Sequence, residues 1–166
     1  METIQLHEML TVHLHIDTPQ ALPPPGQGQR SSSGILGGEF HGQRLQGTVV
    51  PGGSLFLVPQ DEELVRFSLY YTLLTDDGIS MDVVGEGLTA VDSIAAQHLK
   101  DDGLRVAKSL ARCTCNIQFS VPEGVHEYLQ KHLYIGRVNV MAAYTQLPLW
   151  TFAVVVNSSA LPTDTL

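Results

Sequence analysis

Cysteine, tryptophan and basic residues are scarce in this chain: two Cys, one Trp and nine Lys plus Arg among 166 residues. Each scarcity removes a class of protein. Cys113 and Cys115 sit two apart, so in an extended strand both point to one face. Such close neighbours rarely reach disulfide geometry, and no second Cys pair completes a zinc site. Reduced, buried thiols and a cytoplasmic setting are expected. Seventeen acidic residues against the nine basic ones give a net charge of −8. An acidic surface repels phosphate backbones and anionic headgroups, so neither nucleic acid nor a membrane is an expected partner. No apolar run is long enough to span a bilayer. The opening METIQLHEML carries acids and lacks the basic-then-apolar layout of a signal peptide. No phosphate-cradling or dinucleotide fingerprint occurs, nor a G-x-S-x-G or Cys-His protease signature. No cofactor and no metal are expected.

What the chain does have is period-two alternation. Val12, Leu14 and Ile16 share one face, and Thr11, His13 and His15 the other, which marks a half-buried strand. In ELVRFSLYYTLLTDDG, Val65, Phe67, Leu69, Tyr71 and Leu73 form an apolar face. ISMDVVGEG is its hairpin partner, with Ile79, Met81 and Val83 inward. Between 37 and 53 six glycines interrupt short extended pieces, a sign of bulges or barrel corners. Ala111–Phe119, a strand from Leu133 and the run LPLWTFAVVVN add further strands, and HEYLQK begins with a short helical turn. TAVDSIAAQHLKDDG reads as the one helix, capped by Asp92 or Ser93 and ended by Gly103. The Pro/Gly/Ser-rich stretch 19–34 is expected to be a flexible loop within the domain, and 158–166 a frayed tail. Eight to ten short strands with regular turn signals predict a mainly β protein: one antiparallel, lipocalin-like β-barrel over residues 1–166, with one short α-helix. A barrel of this strand number holds one small ligand.

The candidate chemistry centres on Asp76 and Asp77. Asp-Gly between two β-rich runs explains Asp77 as a hairpin residue. A second acid beside it costs repulsion, and one of the two can titrate high. The alternatives are a plain turn or a functional carboxylate, with no choice between the two acids. His13 and His15 are acid–base candidates if their face lines a cavity, and surface residues if it faces water. Arg44 either holds a ligand anion bidentately or pairs with Asp76 or Asp77 as scaffold. Phe40, Phe67, Tyr71, Tyr134, Trp150 and Phe152 line a barrel core, and a ligand cavity would borrow the same residues.

Three stretches, GGEFHGQRLQGTVVPGG, YTLLTDDG and HLYIGRV, resemble markers of the domain of unknown function 3237 family. The resemblance spans roughly Leu6 to Asn157. It implies a single-domain β-barrel, with some members beside small-molecule biosynthetic enzymes. Its pattern falls here on Gly37, Gly38, Arg44, Gly47, Gly52, Gly53, Tyr71, Thr75, Asp76, Asp77 and Gly78. The chain departs from it at Ser54-Leu55, where the family has Asp-Trp. It departs again at Gln46, where a second basic residue is common, and at Tyr128-Leu129-Gln130, where Trp-Leu-Asn is usual. These changes imply a pocket re-cut for a more apolar ligand.

The sequence therefore predicts a cofactor-independent enzyme of small-molecule biosynthesis. Isomerisation, dehydration or cyclisation would run by acid–base chemistry in the barrel cavity. Asp76, Asp77, Arg44, Tyr71 and His13 are the catalytic candidates. Phe40, His15, Phe67, Thr75, Tyr134 and Trp150 are the substrate-binding candidates. The alternative is a non-catalytic carrier of a small apolar ligand. The expected partners are a small molecule and a second copy of the chain as a homodimer.

Overall fold

Along Leu64–Thr75 every second residue is buried, namely Val65, Phe67, Leu69, Tyr71, Leu73 and Thr75. This is the alternation that a sheet with one dry face requires. The same rhythm recurs throughout the computed structural model, which describes residues 3–25, 29–61, 63–90, 113–143 and 150–159. The strands are β1 (His7–Ile16), β2 (Gln20–Ala21), β3 (Ser31–Gly42), β4 (Gln46–Pro59), β5 (Leu64–Thr75), β6 (Ser80–Ala90), β7 (Thr114–Ser120), β8 (Tyr134–Ala143) and β9 (Trp150–Ser158). A short 3₁₀ turn, Glu127–Lys131, stands between β7 and β8.

Every pairing is antiparallel, and the order β1-β9-β8-β7-β6-β5-β4-β3 is closed by β1 against β3. The result is an eight-stranded barrel with the expected topology. Closure leaves no long unpaired edge, which is how such a sheet avoids templating on other chains. β2 pairs with β3 alone, continuing the lane of β1. Val12, Leu14, Leu55, Leu69, Leu73, Met81, Val138 and Phe152 are among the side chains that fill the interior, each at most 1% exposed.

The glycine pairs make the corners. Register slips between Ile35 and Gly38 on β3, and between Val50 and Ser54 on β4 against β5. Gly37, Gly38 and Gly52 have positive φ in these bulges. A Cβ at Gly38 would collide with the carbonyl of His13 on β1. Backbones there approach more closely than any side chain permits.

Several expectations need revision. The loop placed at 19–34 is shorter, because Ser31 to Gly34 already belong to β3 and Gln20–Ala21 pairs with it. Leu22 N donates to Arg30 O at 2.8 Å, and the Arg30 guanidinium donates to Pro23 O at 3.1 Å. Ser158, placed in the frayed tail, ends β9 and is buried. The helix expected from Asp92 to Gly103, and residues 160–166, lie outside the described residues. Cys113 and Cys115 form no disulfide, and both are buried. Among the described residues no helix is long and apolar enough to cross a membrane.

Candidate functional site

Antiparallel connectivity brings three connections to one end of the barrel: Gln43–Leu45 after β3, Asp76–Ile79 after β5, and residues 121–133 after β7. The middle one is a tight turn. Gly78 N donates to Thr75 O at 2.9 Å, and Thr75 N donates to Ile79 O at 2.9 Å. Gly78 has φ +86°, and among the described residues no non-glycine residue has positive φ. The hairpin therefore turns through Asp76 and Asp77 and spends its one left-handed position on glycine, as a three-residue loop with a bulge does.

The turn divides the two acids. Asp76 belongs to the scaffold: its N–H donates to Gln46 O at 3.0 Å, and its Oδ2 accepts from Gln46 Nε2 at 2.9 Å. Asp77 faces the third connection, where His126 Nε2 lies 3.2 Å from its Oδ2. A carboxylate can only accept, so Nε2 carries a proton, and in the neutral ring Nδ1 is left as the acceptor. The imidazole is 10% exposed and the carboxylate 56%. A hydrogen bond from the Thr75 hydroxyl holds the Asp77 carboxyl below its ordinary range, and His126 adds to the effect. It stays ionised and fixes the imidazole's tautomer.

Two phenols, Tyr128 and Tyr134, stand at the same end of the barrel. Burial raises the Tyr128 hydroxyl, and the nearby positive charge of Arg44 opposes that rise. Burial also raises Tyr134, with Tyr128 adding to it. Both phenols stay protonated at neutral pH. The Tyr134 ring meets Phe119 edge-on at 5.0 Å, and its hydroxyl is buried with no partner among the described residues. Leu129, wholly buried, reaches inward from the 3₁₀ turn, and Leu45 and Phe40 are buried too.

The candidates predicted from sequence therefore separate into three groups. Arg44, Thr75, Asp76, Asp77, Phe40 and Tyr134 gather at this end. The expectation that Asp76 or Asp77, with Arg44, serves a cavity inside the barrel is corrected: all three residues are exposed on the rim. Tyr71 and Phe67 are core residues deeper in the barrel, and Trp150 is buried towards the opposite end. Burial raises the Tyr71 hydroxyl, and the neighbouring Cys115 thiol adds to the rise. Burial pushes the Cys115 thiol up to about 11 and Cys113 up to about 12. His13 and His15 leave the candidate site altogether. Val12, Leu14 and Ile16 claim the inner face of β1, so both imidazoles lie on its outer face. There His13 stacks on His41 at 5.6 Å, and His15 Nδ1 contacts Thr151 Oγ1 at 3.3 Å. His126 is the residue that sequence reasoning missed. It lies 49 positions from Asp77, and no spacing rule links them. Among the described residues no group of three or more His, Cys, Asp or Glu could hold a metal ion.

Comparison with known proteins adds the following. Residues 4–155 match the family described as "Protein of unknown function (DUF3237)". A UPF0311 protein of Rhodopseudomonas palustris (strain TIE-1) is 28% identical over 134 residues, 81% of this chain and 87% of that protein. Among solved structures, a conserved R. palustris protein of unknown function superposes with TM-score 0.74 at 21% identity, covering 95% of this chain and 99% of that one. A β-barrel-like protein of Acinetobacter baumannii gives 0.69 at 18% identity, with 95% and 97% covered. A protein from Penicillium herquei described as an enzyme gives 0.62 at 12% identity, with 94% and 97% covered.

Proposed function

The chain belongs to the DUF3237 family of proteins of unknown function, and from that premise we propose that it is a cofactor-independent acid–base enzyme acting on a small, partly apolar molecule at the rim of its barrel. The observation that carries the reading is the Asp77–His126 contact, 3.2 Å across two separate connections. An ionised carboxylate that fixes a mostly buried imidazole is the arrangement general acid–base catalysis uses. In this reading His126 moves the proton through Nδ1, and Asp77 orients the ring. Arg44 and the Tyr128 hydroxyl stabilise the oxyanion that forms when an enol or phenol loses its proton. Isomerisation, dehydration and ring closure can each draw on such a set. The likeness to a barrel described as an enzyme supports catalysis on this fold.

The test is to incubate folded protein with a small-molecule extract of the source cells and compare masses, retention times and fragmentation before and after. An enzyme converts a component, and a carrier returns it unchanged. Conversion is expected to fall roughly 10²–10⁴-fold in His126→Gln, the usual contribution of a positioned acid–base group. It should fall less in Asp77→Asn. Full conversion by His126→Gln, Asp77→Asn and Arg44→Ala alike would refute this reading.

A further inference from the structure

On the outer face of the barrel, away from the rim, Val50, Thr72, Asp82 and Ser120 are direct neighbours across β4, β5, β6 and β7. They floor an open groove of about 500 Å³. One wall is the Pro51–Gly53 bulge, where the β4–β5 ladder is interrupted between Val50 and Ser54. Gly52 has φ +119°, and nothing lies within 4 Å of where its Cβ would stand, so the bulge presents bare backbone to the groove. The other wall carries Tyr70, 44% exposed on a strand face. Phe56 braces it edge-on at 6.1 Å and 82°.

The polar groups are organised. Thr72 donates its hydroxyl to Asp82 Oδ1 at 2.7 Å, which orients the carboxylate and leaves Oδ2 with no protein donor among the described residues. Among the described residues that line the groove, Asp82 is the only charged one, and no Lys or Arg joins it. A ligand anion would meet this carboxylate and no opposite charge among the described lining residues, so charge disfavours it. An ammonium ligand would use Asp82 and leave Ser120 and the bulge amides unanswered. A neutral ring with several hydroxyls uses everything present. Its C–H face lies on Tyr70, one hydroxyl donates to Asp82, and others meet Ser120 and the exposed backbone. We infer that this groove is a binding site for a pyranose ring, either a free sugar or the sugar of a glycoside.

Backbone amide NMR with the intact protein tests it, titrating maltose, cellobiose and N-acetylglucosamine, with putrescine as the cationic comparison. The inference expects saturable shifts from at least one saccharide at Gly52, Tyr70, Thr72, Asp82 and Ser120. Asp82→Asn should weaken that binding about tenfold, the loss of a hydrogen bond to a charged group. Tyr70→Ala should do likewise, and Asp77→Asn, on the rim, should leave it unchanged. Asp82 is exposed and its amide keeps the shape, so this variant remains informative if Tyr70→Ala folds poorly. Absence of saturable shifts with all three saccharides, shifts with putrescine alone, or saccharide binding undiminished in Asp82→Asn would each overturn the inference. The outcome is independent of the rim chemistry, because no residue is shared.

Discussion

Asp76 and Asp77 are adjacent, yet the fold gives them different work. Gln46 holds one from both backbone and side chain, and His126 meets the other. The pair was legible in sequence as a candidate, and the assignment of roles was not, because it depends on which connection each acid faces. The depressed Asp77 carboxyl has a consequence for stability. A carboxyl held below its unfolded pKa stabilises the fold above that value and loses its contribution as the pH falls through the folded one. Wild type should therefore melt higher than Asp77→Asn near neutrality. The gap should close as the pH drops below about 4, the ordinary Asp value. A series of melting temperatures checks this, and a gap that widens in acid would contradict it. The thiols make the opposite case. With Cys115 pushed up to about 11 and Cys113 up to about 12 by burial, almost no thiolate exists at neutral pH. Alkylation of the native protein is expected to go no faster than unfolding, measured by mass spectrometry beside hydrogen exchange. The histidines of β1 show the limit of reading residue types: alternation located them correctly on one face, but which face was wet depended on the strength of Val12, Leu14 and Ile16 as core residues.

The strands were the most legible part of the chain. β5 and β6 pair in unbroken register from Leu64↔Ala90 to Leu74↔Ser80, as their opposed apolar faces required. The glycine-rich stretch of β3 and β4 was legible as a set of bulges, and the structure supplies the reason for individual positions. Gly38, at φ +150° against the His13 carbonyl, should not tolerate a side chain, whereas Gly34 has only the Asp17 Cβ at 4.0 Å. Gly38→Ala is expected to cost roughly 2 kcal/mol or more through strain and overpacking. Gly34→Ala should stay within about 1 kcal/mol of wild type. Urea unfolding of the two variants measures the contrast. The 3₁₀ turn Glu127–Lys131 was anticipated as a short helical turn, but its use was hidden. It delivers Leu129 into the interior, and Leu129→Ala should cost about 2–5 kcal/mol. A loss well below 1 kcal/mol would mean that the turn merely rests on the barrel.

At the scale of the whole molecule, composition and turn spacing sufficed for the barrel, because only a closed or stacked sheet can dry one face of so many short strands. What they left open was the address of the polar groups. Sequence reasoning sent them inward, and the fold keeps them at the rim and on the outer wall, where apolar side chains do not compete for the space. The closure itself bears on how the chain is made. β1 lies between β3 and β9, so the seam joins segments near opposite ends of the sequence. Bringing such distant partners together costs loop entropy before any contact repays it, which slows folding. During synthesis, β1 must wait for nearly the whole of its neighbours' sequence to leave the ribosome. Until β9 arrives, the half-built sheet keeps an open flank, and a nascent chain stalled just short of Trp150 is the species most prone to associate with its own kind.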